Sequence, residues 1–376
     1  MSKTLLILLA LAATFFVYTQ SQKTAPQAPL QPKTVTTPDA TASYRVETVV
    51  SGLQVPWSIL FTGPNRMLVS ERTGSIRVIR NGTLLPEPLH TFTDTLQGGE
   101  RGLLGMTLHP DYANNKLVYA GYTYDSNGTT HVKIVRFADQ GTSISPMTTI
   151  MDSIPGGSNH DGIRLKFGPD GKLYASTGEG GNKELAQQDT TYAGKIIRMD
   201  ADGGNIEIYA KGIRNSQGFD WDTEHNNNLW AVDHGPSGYD APPGGDEVNL
   251  ITKGGNYGWP LVSHEKNKPG LIAPKITFTP AIAPASIIVY NSTVLPQFQG
   301  NLFVGGLRGS GVYRFILTKD GTGIASWEKL NKVDVGRVRD VVQGPDGYIY
   351  FTSSNRDGRG IERPNDDKIY RLMPTP

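Results

Sequence analysis

The sequence predicts an all-β fold, a six-bladed β-propeller with four-stranded antiparallel blades, and three observations carry that prediction. First, 44 glycines and 25 prolines among 376 residues make the chain dense in the residues that punctuate turns. Second, a turn followed by a short β-rich run occurs six times, with runs beginning at Leu68, Leu117, Leu173, Leu229, Leu302 and Ile349. Third, each run lies between further strand-like segments, with no stretch between them long enough for a crossover helix. That removes parallel β/α architectures and leaves a meander repeated around a ring.

Taken in order, the chain opens on an apolar run, Leu5 to Val17, behind Lys3. The run is short for a bilayer span and the right size for a signal h-region, so residues 1–21 read as a signal peptide or an uncleaved N-terminal anchor. Residues 22–42 are Pro, Thr, Gln and Ala with almost no large apolar side chain, a flexible linker that would act as a membrane tether if the anchor is kept. Residues 43–376 form the propeller, a single catalytic domain. In its first repeat the turn Gly63-Pro-Asn precedes Leu68, and a strand-like Ser75–Ile79 follows. The second repeat continues into His131–Val135. The third is preceded by Gly162–Phe167, where Ile163, Leu165 and Phe167 alternate with Arg164 and Lys166, and continues through the turn Gly168-Pro-Asp-Gly to Lys195–Met199. Glu247–Ile251 and Gly311–Phe315 follow the fourth and fifth runs. In the sixth, Gly344-Pro-Asp-Gly precedes Ile349, and Lys368–Leu372 follows. Tyr44–Val50 is expected beside Lys368–Leu372, closing the ring.

Charged residues are 19% of the chain and the net charge is +1, which argues against a nucleic-acid groove or a polybasic membrane surface. The chain has no cysteine, so disulfides, Cys-ligated zinc, iron–sulfur clusters and thiol nucleophiles are excluded, and any metal must use oxygen or His ligands.

The residues just before each inner strand fall at equal phase in the repeat and should ring one mouth of the channel. They include Glu100 with Arg101, His160 with Asp161, Arg214 with Asn215, and Arg337 with Arg339; Arg308 lies in another loop that can join them. A His among arginines favours the neutral imidazole of a general base. Clustered guanidinium groups call for an anionic ligand. Chemistry alone thus gives an exported propeller with a basic, His-containing pocket for a polyanionic small molecule.

Several longer motifs carry a family resemblance. Glu100-Arg-Gly-Leu-Leu-Gly-Met, Asn159-His-Asp-Gly, Ala193-Gly-Lys-Ile-Ile-Arg-Met-Asp, Gly212-Ile-Arg-Asn-Ser-Gln-Gly, His234-Gly-Pro, Gly245-Asp-Glu-Val-Asn and Gly255-Asn-Tyr-Gly-Trp-Pro occur in the order seen in the glucose/sorbosone dehydrogenase family. These are the soluble quinoprotein sugar dehydrogenases, which use pyrroloquinoline quinone (PQQ) and calcium. The likeness runs from about Val46 to Leu372. It implies oxidation of an aldose at its anomeric carbon to the lactone, with electrons passing to an external acceptor outside the cytoplasm, in the periplasm or beyond the cell. His160 resembles the general base that takes the hydroxyl proton while hydride passes to the quinone. Arg214 and Asn215 resemble the pair at the quinone oxygens, and Arg308, Arg337 and Arg339 the residues facing the PQQ carboxylates. Gly235 and Pro236 resemble the positions whose carbonyls help hold the calcium on PQQ, and Glu247 and Tyr257 the ligands of a second, structural calcium.

The chain departs from the family at three places. Glu100 stands where a Gln touches the cofactor, and its charge calls for compensation by calcium, by Arg101 or by a proton. Thr279-Pro-Ala replaces a segment that brings a stacking ring, and Asn355 stands for an Asp. A calcium-dependent lactonase-like hydrolase and a non-catalytic binding propeller are the alternatives. The first needs carboxylates clustered in the channel, and the second is compatible with the departures. The five tryptophans are expected mainly in the cores between blades, and Asn81, Asn127 and Asn291 in ordinary turns.

Overall fold

The computed structural model describes residues 44–375, so the expected signal segment or anchor and the linker, residues 1–42, lie outside the described residues. Six antiparallel sheets are arranged as blades, and the strands are numbered along the chain. The first, β1 (Tyr44–Ser51), belongs to the last blade. Blade one contains β2 (Pro56–Gly63), β3 (Arg66–Glu71), β4 (Ser75–Arg80), the short β5 (Thr83–Leu84) and β6 (His90–Thr91), which also pairs with β4. Blade two contains β7 (Leu103–Leu108), β8 (Leu117–Ser126), β9 (Thr129–Ala138) and β10 (Thr148–Pro155). Blade three contains β11 (Arg164–Phe167), β12 (Leu173–Ser176), β13 (Lys195–Met199) and β14 (Glu207–Lys211). Blade four contains β15 (Ser216–Asp222), β16 (Asn228–Asp233), β17 (Asp246–Ile251) and, after the two-residue β18 (Gly255–Asn256) that extends blade three in parallel, β19 (Ile276–Phe278). Blade five contains β20 (Pro284–Tyr290), β21 (Asn301–Gly306), β22 (Gly311–Leu317) and β23 (Ile324–Lys329). Blade six contains β24 (Val338–Gln343), β25 (Ile349–Ser353) and β26 (Lys368–Pro374) and is completed by β1.

Every run singled out in the sequence is the second strand of a blade, and ring closure occurs as expected, with Val46 opposite Leu372 and Val50 opposite Ile369. The first and last described strands thus share one sheet, which leaves the ring without an open seam.

Because each blade is two-faced, its alternating apolar residues must be buried against both neighbours. Six apolar clusters result, and each is shared by two adjacent blades. Between blades five and six, for example, Ile288, Tyr290 and Phe303 pack with Val338, Val341 and Phe351. Full burial of such a side chain contributes about 1.5–3 kcal/mol, so the cores between blades carry the ring. Trp57, Trp221, Trp230 and Trp259 are buried, as expected of core residues, and Trp327 is half-buried beside Phe278. Asn81 and Asn127 sit in turns with φ of 52° and 54°, the left-handed region that Asn tolerates.

The channel is blocked by an ion pair that reaches nearly every blade. Arg164 on β11 places Nη1 2.9 Å from Asp340 Oδ1 on β24. Its Nε donates to Gln217 O and its Nη2 to Ala285 O, in blades four and five. Asp340 Oδ2 accepts from Ile59 N in blade one, where the Arg164 guanidinium also lies 4.2 Å from the Trp57 ring centroid. Removing one partner leaves the other charge buried and uncompensated, at a cost of about 3–5 kcal/mol. Asp340→Ala is therefore expected to lose about that much stability in urea unfolding, and a loss below about 1 kcal/mol would remove the pair from its role as a staple.

Candidate active site

Two sets of loops open at the same mouth: those leading into the inner strands and those joining second strands to third strands. Together they line a cavity of about 340 Å³, within the range of small-molecule sites. The first set supplies Glu100, His160, Arg214 and Arg337, as the repeat phase predicts, and Arg339 joins them from the second position of β24. The second set supplies Arg72, His234, Gly235, Pro236, Asp246, Arg308, Asp357 and Arg359. Of these, the sequence reading anticipated Gly235, Pro236 and Arg308 and missed the rest. They lie in or beside the second loop of each repeat, whose varying length leaves no count along the sequence that aligns them.

His160 is 4% exposed and has a left-handed backbone, φ 61°, a conformation that persists in a non-glycine residue only when its surroundings enforce it. Its N–H donates to Glu100 Oε2, its C=O accepts from Gly180 N, and a side chain at Gly178 would bring a Cβ to 1.8 Å from its carbonyl oxygen. The imidazole Nδ1 donates to Glu179 Oε1 at 2.5 Å. A carboxylate only accepts, so this contact fixes the tautomer of the neutral ring and turns Nε2 outward as the acceptor. The hydroxyl of Tyr239 donates to Nε2 at 3.1 Å. Glu179 was not anticipated; it lies in the loop after β12, and nothing in its sequence neighbourhood marks it as a partner for a residue 19 positions away.

Glu100 ties the site together. Its Oε2 accepts from His160 N and Asn215 Nδ2, while its Oε1 accepts from Arg359 Nη1 at 2.6 Å. Burial works to raise its carboxyl, but His234, His160 and Arg359 outweigh that and hold it down to about 2. Burial depresses His234 to about 3, so at neutral pH His234 is uncharged and Arg359 carries the compensation. Of the three expected compensators, calcium, Arg101 and a proton, Arg101 is elsewhere, with its Nε on Gly98 O. Asn215 is fully buried and braces the site, donating to Glu100 and accepting from Gly162 N.

The arginines divide into two groups. Arg214 pairs with Asp240 at 2.7 Å and Arg337 with Asp357 at 2.7 Å. Arg72, Arg308 and Arg339 line the same cavity, and among the described residues none of the three has a carboxylate within ion-pair distance. Arg339 is the most demanding. It is 4% exposed, its Nη1 meets Gln217 Oε1, its Nε has no hydrogen-bond partner, and burial pushes its guanidinium down to about 9. A buried cation left this way is costly until an anion meets it.

Oxygen donors lie on one side. Asp246 receives hydrogen bonds from Gly235 N, Ile282 N and Ala283 N, which sets the Gly235-Pro236 backbone along the cavity. Behind it, Glu247 faces Asp233 across the β16/β17 ladder, and burial raises both, Asp233 to about 6 and Glu247 to about 8. The Oδ1 of Asn249, whose amide donates to Glu247, is buried without a partner. Orphaned acceptor oxygens beside like-charged carboxylates suit a hard cation. The Tyr257 hydroxyl is committed to Leu250 O and Thr252 N, so any oxygen Tyr257 offers a cation is in its main chain. Asn355 is part of the scaffold. It accepts from Arg337 N and donates to Val335 O and Asp366, and a carboxylate there could not make the two donations. At the third departure, Thr279 Oγ1 accepts from Gly245 N, and the cavity wall nearby is Ala281.

Comparison with known proteins followed from this geometry. A family profile described as Glucose / Sorbosone dehydrogenase matches residues 53–363. The chain is 31% identical over 351 residues to the aldose sugar dehydrogenase YliI of Escherichia coli K12, covering 85% of this chain and 92% of that one. The solved structure of a glucose dehydrogenase, described as a putative oxidoreductase, from Thermus thermophilus aligns with TM-score 0.81 at 37% identity, covering 88% of this chain and all, 100%, of that one. The PQQ-bound aldose sugar dehydrogenase of Streptomyces coelicolor aligns with TM-score 0.76 at 33% identity, over 88% and 98% of the two chains.

The site also contains a titration that can be measured directly. Asp161 is buried beside His160, with Oδ1 accepting from Gly157 N and Oδ2 unpartnered, and burial with the nearby Glu100 raises its carboxyl to about 7. Folding then takes up a proton between the ordinary value of 3.8 and about 7, so this group's contribution to stability falls as pH rises through that window. Each pH unit crossed is worth at most about 1.4 kcal/mol. Asp161→Asn keeps the bond to Gly157 and should flatten the stability profile, gaining on the wild type between pH 5 and 8 in urea unfolding; parallel profiles would show that Asp161 is ionised throughout.

Proposed function

The chain belongs to the glucose/sorbosone dehydrogenase family, and on that premise we propose that it is a PQQ- and calcium-dependent aldose dehydrogenase, oxidising the anomeric carbon to the lactone. The observation that carries this reading is the pairing of an oriented base, His160 on Glu179, with a cavity where Arg339, Arg308 and Arg72 lack carboxylate partners. PQQ, when bound, supplies the acceptor for the hydride leaving the anomeric carbon.

His160 Nε2 takes the proton of the anomeric hydroxyl, and Glu179 stabilises the imidazolium that results. Arg308, Arg337 and Arg339 would hold the cofactor's carboxylates, and Arg214 would stabilise charge that develops on its quinone oxygens, with Asn215, buried and bonded to Glu100 and Gly162, bracing the wall behind it. The buried, under-bonded Arg339 supports an anion in this cavity, and Glu100, neutralised by Arg359, no longer stands against one. The carbonyls of Gly235 and Pro236 would hold a calcium ion against the cofactor, while Glu247 and the main chain of Tyr257, beside the orphaned Asn249 Oδ1, would hold a second. The apolar run Leu5–Val17 supports export to the periplasm or cell exterior, where electrons pass to an external acceptor.

The hydrolase alternative is disfavoured because the cavity carboxylates are already engaged: Glu100 by Arg359, Asp357 by Arg337, and Asp246 by three backbone amides. A non-catalytic propeller would have no use for the His160–Glu179 pair.

The purified protein, mixed with PQQ and calcium, should reduce a dye acceptor with at least one member of an aldose panel. His160→Ala should lower kcat by about 10²–10⁴ while PQQ affinity is kept, and Arg339→Ala should weaken PQQ binding tenfold or more. Failure of the wild type to bind PQQ in a fluorescence titration would sink the proposal.

A further inference from the structure

The loop between β16 and β17 does more than line the cavity. Its segment from Ser237 to Pro243 folds back across two side chains assigned to function. Asp240 takes Arg214 through both Nε (2.8 Å) and Nη2 (2.7 Å), and Ser237 Oγ accepts from Nη2 at 3.1 Å. One residue earlier, the Tyr239 hydroxyl occupies His160 Nε2, with its ring parallel to the imidazole at 12° and 6.3 Å between centroids.

These two contacts have opposite characters. The Asp240 side chain is 9% exposed and its partner 2%, so the ion pair is sheltered and anchors the segment. Tyr239 is 69% exposed, an unusual position for a large aromatic ring and one that little besides the imidazole contact secures. Gly238, next to Tyr239, has φ of 102° and an added Cβ there would meet nothing nearer than 3.8 Å, whereas Gly244 is tied to Pro236 O and packed on Thr279, so the open end of the segment is the one that carries Tyr239.

A base must lie within about 2.6–3.2 Å of the hydroxyl it deprotonates. The Tyr239 hydroxyl, 3.1 Å from Nε2, is at the place a reacting hydroxyl must take. The Asp240 carboxylate likewise holds the guanidinium that an anionic ligand would claim. We propose that Tyr239 and Asp240 are the selecting residues of this site: an internal hydroxyl and an internal carboxylate that an entering hydroxyl compound and an entering anion must each replace.

The inference rests on the functional reading above for the identity of the entrants, a sugar and PQQ. Because both stand-ins are on one short segment, displacing Asp240 loosens Tyr239. Cofactor binding at Arg214 therefore uncovers the base, and the sugar follows the cofactor into the site. A hydroxyl compound arriving alone meets a base already occupied.

Two measurements on the unloaded and loaded protein test this. The first is the rate at which diethyl pyrocarbonate acylates His160, followed by peptide mass mapping without any cofactor. Asp240→Asn, which releases the anchor, and Tyr239→Phe, which removes the hydroxyl from Nε2, should each speed acylation several-fold, with the circular dichroism spectrum unchanged. The second is PQQ affinity by fluorescence titration in calcium. Asp240→Asn should bind about tenfold more tightly, since no internal carboxylate has to leave, and Tyr239→Phe should bind as the wild type does. Unchanged acylation in both variants, or weaker PQQ binding by Asp240→Asn, would overturn the proposal, because Asp240 would then be orienting Arg214 for the ligand. If no variant binds PQQ, the cofactor assignment falls, and the acylation rates still decide whether the segment covers the base.

Discussion

The ion pair between Arg164 and Asp340 is the contact on which the rest of the molecule depends. A ring of blades has no central chain segment to organise it, and the inner strands meet only around an axial space. In this protein the axis holds one guanidinium and one carboxylate whose hydrogen bonds extend into blades one, three, four, five and six. A buried pair of this kind is not a large net source of stability, because desolvation offsets most of the attraction. Its value is geometric: the inner strands of five of the six blades are registered against one another through charged, directional bonds, while the apolar clusters between blades supply the bulk of the free energy.

That registration is transmitted to the active-site mouth. Arg339 immediately precedes Asp340, and Gln217, whose carbonyl accepts from Arg164, also meets the Arg339 guanidinium. The arginine most in need of an anion is thus held by the same residues that staple the channel. On the opposite wall, Glu100 joins His160, Asn215 and Arg359, residues from three blades, through a single carboxylate. A site assembled from so many separate loops can be kept within a few tenths of an ångström only when such cross-blade bonds fix each loop to its neighbours. One consequence is that a glutamate where the family carries a glutamine becomes compatible with an anionic ligand.

The parts of the site that could be read in advance were those at repeat phase. His160, Arg214 and Arg337 precede inner strands in their blades and Arg339 is the second residue of one, so counting positions placed them together. Arg308 was reached through its loop, and Gly235-Pro236 through the family motif His234-Gly-Pro. Arg72, Arg359 and His234 occupy the other loop of each repeat, whose lengths vary, and counting does not align them. Glu179 and the pair Tyr239 and Asp240 were out of reach for another reason. Each acts through a contact with a residue 19 to 79 positions away, a pairing that no short window of sequence contains.

The sequence by itself determined the six-fold β repeat, the closure of the last blade by the first described strand, the basic mouth and the family. The first three follow from local alternation, turn chemistry and periodic position, and the family from the resemblance of short motifs; all are properties of short windows. Only the tertiary structure decided which arginines are already neutralised, which nitrogen of His160 is turned to the cavity and which segment lies over it. Those outcomes depend on distances between blades, where a carboxylate one or two ångströms nearer to one guanidinium than another separates a spent charge from a site awaiting its ligand.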